Sequence, residues 1–98
     1  MITTLRDAAS LNKAGLDANK AGNSKAALRY FLAATRLAPT DSRYLLSAAN
    51  MHLKLGEVND AVDLYENLRS FPLSDKQAAI VTAKLDEVAS MDVAGACQ

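Results

Sequence analysis

Scarcity says the most about this chain at first. Among its 98 residues there is no tryptophan, one cysteine, one histidine and two prolines. A lone Cys97 cannot close an internal disulfide, which excludes the stapled scaffold of a small secreted domain, and its place beside the C-terminus suggests a loose tail, not a tuned thiol. An excess of either charge is also missing: basic and acidic side chains number 11 each, so the electrostatic footprint needed to hold nucleic acid phosphates or an anionic membrane is absent. No nucleic acid or membrane partner is expected. The longest unbroken apolar run, Tyr30 to Ala34, is far short of a membrane span, and Met1 to Asp7 contain no apolar core behind a basic flank. No secretory signal is expected in these residues, and cytoplasmic residence is the default.

Apolar types, by contrast, make up 50% of the chain, enough to fold one domain of modest core. The neutral total hides an uneven distribution. Residues 1–49 carry seven basic groups against three acidic ones, while residues 50–98 carry four against eight. Such a chain has a basic first half and an acidic second half, which favours stacking of unlike ends.

The organising feature is a repeat. Gly22 recurs as Gly56, Ala27 as Ala61, Leu28 as Val62, Phe31 as Tyr65, Leu37 as Phe71 and Leu11 as Leu45, every time 34 residues on. A period of that length belongs to helical solenoids.

Taken in order, Thr4 and Asp7 form a weakened capping box that opens a first helix over about 4–21, with Leu11, Ala14, Gly15 and Ala18 on one narrow face. Gly22-Asn23-Ser24 turns the chain into a second helix over 24–37, with Ala27, Phe31 and Ala34 inward, Leu28 and Leu37 beside them, and Pro39 beyond its end. Asp41 or Ser42 caps a third helix to about Leu55. Gly56 then leads into a fourth from Glu57 to about Ser70, with Ala61, Leu64, Tyr65 and Leu68 inward. Ser74 and Gln77 make a capping box for a fifth helix ending near Met91, whose stripe of Ala78, Val81, Leu85 and Val88 covers the open end of the second hairpin. Residues 92–98 are expected to be a loose tail, leaving a single domain over 1–91.

These residues resemble the tetratricopeptide repeat. Leu11, Gly15, Gly22, Ala27, Phe31, Ala34 and Pro39 occupy the family's positions in a first repeat over about 8–41; Leu45, Ala49, Gly56, Ala61, Tyr65 and Leu68 do so in a second over about 42–75. Departures are Leu11 and Leu45 where tryptophan is common, Ala18 in place of a tyrosine, and Pro72 one residue earlier than the Pro39 spacing predicts. The resemblance implies an all-α, tetratricopeptide-like helical solenoid, two antiparallel helix hairpins plus a capping helix. Two repeats are fewer than the roughly three that usually stand alone. The three-helix microtubule-interacting-and-trafficking fold also uses helix hairpins but does not require glycines and aromatics paired 34 residues apart.

In that family the first helix of each repeat lines a concave groove. The matching positions are Ala9, Asn12, Leu16, Asn19 and Lys20, then Arg43, Leu46, Asn50, Leu53 and Lys54. Asparagine offers donor and acceptor to an extended peptide backbone, and leucines at helical spacing offer shallow pockets. The clamp by which some members hold a partner's terminal carboxylate is not reproduced, since Asn12, Leu16 and Ser47 stand at its positions.

Catalysis is not expected. The chain has no phosphate-cradling glycine loop, nucleophile elbow, cysteine pair or zinc-helix motif. His52 has only Ala48, Ala49, Leu55 and Gly56 one helical turn away, so neither a metal nor a cofactor is expected there. The expected function is that of a protein-interaction adaptor or assembly module, binding a peptide or helix of another protein in the groove. The alternative is a structural subunit that completes its short solenoid by self-association.

Overall fold

Two glycines with left-handed backbone, Gly22 at φ +84° and Gly56 at φ +81°, set the architecture. Each stands just past a helix end. The Asn23 amide donates to the Ala18 carbonyl at 2.9 Å and the Gly22 amide to Asn19 at 3.0 Å; the Glu57 and Gly56 amides repeat this on His52 and Leu53 at 2.9 and 3.0 Å. These are two copies of one Schellman turn. It satisfies the last carbonyls of a helix and requires a residue without a Cβ clash at the left-handed position.

The computed structural model describes residues 7–96, with side chains described for residues 7–90. Five helices are present among them: α1 Ala8–Lys20, α2 Ser24–Leu37, α3 Ser42–Lys54, α4 Val58–Leu68 and α5 Asp75–Ala96. The helices α1 and α2 form one close pair, α3 and α4 a second, and α5 packs more lightly on α4. This is an all-α fold of helical-repeat character.

Capping residues decide most of the boundaries. Asp7, not Thr4, is the N-cap of α1, its carboxylate accepting from the Ser10 amide at 2.7 Å; Thr4 lies outside the described residues. Asp41 rather than Ser42 caps α3, accepting from the Arg43 amide at 3.0 Å. The Ser74–Gln77 capping box is reciprocal, both bonds measuring 3.1 Å. At its other end α5 runs to Ala96, past the expected end near Met91, because no proline intervenes and one glycine costs a helix only about 1 kcal/mol. Residues 97 and 98 of the expected tail lie outside the described residues.

The core is a file of three clusters running from hairpin to hairpin. Leu11, Ala34 and Tyr44 join α1, α2 and α3. Ala27 and Phe31 meet Ala48 and Met51 between α2 and α3. Leu45 and Ala49 meet Ala61, Tyr65 and Leu68, with Val81 of α5 closing the end. The alanines at the repeat positions, Ala27 and Ala61, are fully enclosed, as small residues must be where two helices cross closely. Two expected inward residues are not inward: Leu37 is 55% exposed near the end of α2, and Ala78 is exposed on α5. The inward side of α5 consists instead of Gln77, Val81, Leu85 and Val88, with Ile80 packed beside them.

Candidate functional site

Hydrogen bonds between helices 35 residues apart show that α1, α3 and α5 lie side by side. Lys54 Nζ donates to Asn19 Oδ1 at 2.9 Å, joining α3 to α1, and Gln77 Nε2 donates to Ser42 Oγ at 3.0 Å, joining α5 to α3. Where α3 and α5 run together the surface sinks into an open cleft of about 360 Å³, lined by Asn50, Met51, Leu53 and Lys54 from α3 and by Lys84 and Glu87 from α5.

A buried phenol meets one wall of this cleft. Tyr65 is enclosed between the helices and donates its hydroxyl to Asn50 Oδ1. Burial, with a smaller contribution from the negative charge of Glu87, pushes the phenol up to about 12. Asn50 is thereby fixed in orientation, its carboxamide oxygen engaged and its amide group left as a donor. Lys84 and Glu87 stand 3.8 Å apart on neighbouring turns of α5 and place one charge of each sign on the opposite wall. Such a surface can hold a short extended or helical segment with apolar side chains on Leu53 and Met51 and polar groups on Asn50, Lys54 and Lys84.

The groove positions inferred from sequence separate into three groups. Asn50, Leu53 and Lys54 line the cleft, and Asn19 reaches it through Lys54. On α1, Leu16 is 45% exposed, Ala9 and Lys20 are exposed and Asn12 is half-buried, none of them lining the cleft. Arg43 is occupied locally, its guanidinium gripping Asp41 at 2.9 and 2.6 Å and lying 5.2 Å from the Tyr44 ring centroid. That grip holds the Asp41 carboxyl below its usual range. Leu46 corrects the expectation of a surface pocket: it is only 8% exposed and belongs to the core cluster that includes Val81, because α5 lies over this part of α3.

The structure adds Lys84, Glu87 and the Tyr65 hydroxyl, which the repeat pattern alone did not single out. One signal was present. The residues 34 positions before Asn50 and Tyr65 are Leu16 and Phe31, so an apolar pair in the first hairpin becomes a polar pair in the second. A second concavity of about 410 Å³ lies between the two interhairpin turns, lined by Pro39, Thr40, Ser70, Phe71 and Pro72.

His52 also has partners. Its Nδ1 stands 2.8 Å from Glu57 Oε1, a contact five residues along the chain that the search at one helical turn could not reach. The Gly56 turn brings the two together.

In comparisons with known proteins, no family model, no curated protein and no solved structure matches the chain. Among the described residues, no helix is long and apolar enough to cross a membrane.

Proposed function

We propose that this protein is a small tetratricopeptide-like adaptor that binds a segment of another protein in the cleft between α3 and α5. The observation that carries the reading is the make-up of that cleft, where Met51 and Leu53 lie among the fixed carboxamide of Asn50 and the ammonium groups of Lys54 and Lys84. The 34-residue repeat and the two hairpins with a fifth helix support the family resemblance. The role is one of binding without chemistry, in the cytoplasm, with a protein or peptide as partner and no cofactor. Panning a random peptide library on the full chain, followed by NMR mapping of the selected peptides, tests it. Shifts centred on Asn50, Leu53 and Lys84, and loss of binding in Leu53→Asp, are expected; peptides that bind Leu53→Asp as well as the parent would refute the cleft.

A second reading rests on a different observation. The outer side of α5 exposes Ala78, Ala79, Thr82 and Ala83, small side chains over which a further helix can pack closely, and the acidic second half of the chain complements the basic first half. Head-to-tail association of copies would extend the solenoid. Light scattering across dilution and salt distinguishes this from a monomeric adaptor.

A further inference from the structure

The two Schellman turns share one backbone but differ in what they carry, and the difference is chemical. In the first turn the positions are Ala18, Asn23 and Ala26; in the second, 34 residues on, they are His52, Glu57 and Asp60. A ring nitrogen of His52 and one carboxylate oxygen each from Glu57 and Asp60 lie within 4.8 Å of one another. We propose that His52, Glu57 and Asp60 form a binding site for a divalent transition metal of the zinc class, at the α3–α4 turn and separate from the α3–α5 cleft.

Three features support the assignment beyond proximity. The donor set, one imidazole nitrogen and two carboxylate oxygens, suits Zn²⁺ and leaves a coordination position for water, whereas Ca²⁺ and Mg²⁺ prefer all-oxygen ligands. Preorganisation is the second feature. The His52 side chain is only 14% exposed, and the turn between it and Glu57 is locked by two backbone hydrogen bonds and by Gly56 at φ +81°.

The third is a helix cap diverted from its ordinary use. Asp7, Asn23, Asp41 and Ser74 each accept a hydrogen bond from an early amide of α1, α2, α3 and α5 respectively. Glu57, the N-cap of α4, makes no such bond and turns its carboxylate to His52 instead. In the equivalent first turn, Asn23 accepts from the Ala26 amide at 3.0 Å. Ligands around a tetrahedral zinc stand about 3.4 Å apart, so small rotations of the exposed Glu57 and Asp60 side chains close the set around one ion. The neutral imidazole carries its single proton on the nitrogen that does not bind the metal.

The test is calorimetric titration of the full chain with ZnCl2, carrying Cys97→Ser so that the thiol cannot contribute, beside parallel titrations with CaCl2 and MgCl2. Saturable, stoichiometric zinc binding is expected, weakened at least about tenfold in each of His52→Gln, Glu57→Gln and Asp60→Asn. Circular dichroism verifies that each variant is folded, and Asp60→Asn, an exposed surface change, keeps the test valid if His52→Gln does not fold. Zinc should also shift the His52 ring resonances. Absence of saturable zinc binding overturns the site, as does zinc binding undiminished in the three variants. Calcium or magnesium binding as tight as zinc and indifferent to His52→Gln would likewise reduce the cluster to a hydrogen-bonded pair beside an ordinary acidic surface.

Discussion

Gly15 of α1 lies directly against the ring of Phe31 in α2: a Cβ placed on Gly15 would stand 2.6 Å from Phe31 Cε1 and 2.8 Å from Cδ1. The ring is almost wholly enclosed and has little freedom to withdraw. Gly15→Ala therefore sets a helix-propensity gain of about 1 kcal/mol against an overpacking penalty of about 1–3 kcal/mol, and a net loss of roughly 1 kcal/mol is expected in urea unfolding. Adding Phe31→Leu should recover part of that loss by making room for the methyl group. A stabilised Gly15→Ala would mean that the two helices separate more readily than their packing indicates.

Tyr65 supplies a pH signature. Its folded value, about 12, lies above the ordinary 10.0. The sign follows from linkage: the folded state holds the phenolic proton more tightly, so this contribution is complete below pH 10 and is lost as pH rises through about 12. Tyr65→Phe removes that dependence along with the hydrogen bond to Asn50. The variant should be about 0.5–1.5 kcal/mol less stable than the parent at pH 8, and the gap should narrow above pH 10. A gap constant across that range would show that the phenol titrates normally.

Leu46→Asp separates core from surface. With Leu46 in the cluster that Val81 closes, a carboxylate there is buried without a partner, and a loss of about 3–5 kcal/mol is expected. Much of the helical circular dichroism signal should disappear at moderate denaturant. A variant as helical and as stable as the parent would return Leu46 to the surface.

The caps of the two hairpins should differ. Asn23→Ala removes a bond to the Ala26 amide and is expected to cost about 1 kcal/mol, whereas Glu57→Ala removes no capping bond and should cost less than about 0.5 kcal/mol without added metal. Thermal melts of the two variants in a chelating buffer compare them directly. Equal losses would indicate that Glu57 caps α4 in solution.

Deleting residues 74–98 should uncover Leu45, Leu46 and Leu68, which lie in the cluster closed by Val81. The shortened chain should aggregate or associate at micromolar concentration. If it stayed monomeric and helical by light scattering and circular dichroism, the covering role of α5 would be disproved.

Different parts of the structure were legible in the sequence to different degrees, for identifiable reasons. Gly22 and Gly56 could be read because a left-handed turn excludes most other residues, and Ala27 and Ala61 because close helix crossings do. Leu46 and Ala78 were placed on the wrong sides because the inward face of α3 near its start, and of α5 throughout, is set by how these helices lie against each other. Helical periodicity within one segment says nothing about that rotation. The pairing of His52 with Glu57 was missed for a related reason: neighbours at three and four residues are neighbours only while a helix continues, and here it ends between them. In the cleft, Asn50, Leu53 and Lys54 were visible through the repeat. Lys84 and Glu87 were not, since the early Pro72 shifts the register of α5.

The extensive packing joins consecutive helices, α1 to α2, α2 to α3 and α3 to α4, and becomes sparse between α4 and α5. A chain connected in this way closes only short loops as it assembles, which keeps the entropy cost of each step low and places folding in the microsecond-to-millisecond range. Its disassembly has a direction as well. The helix with the thinnest attachment carries one wall of the α3–α5 cleft, so local opening of α5 widens the cleft while both hairpins stay intact, and amide exchange should be graded, fastest in α5 and slowest where Phe31 and Tyr65 are enclosed.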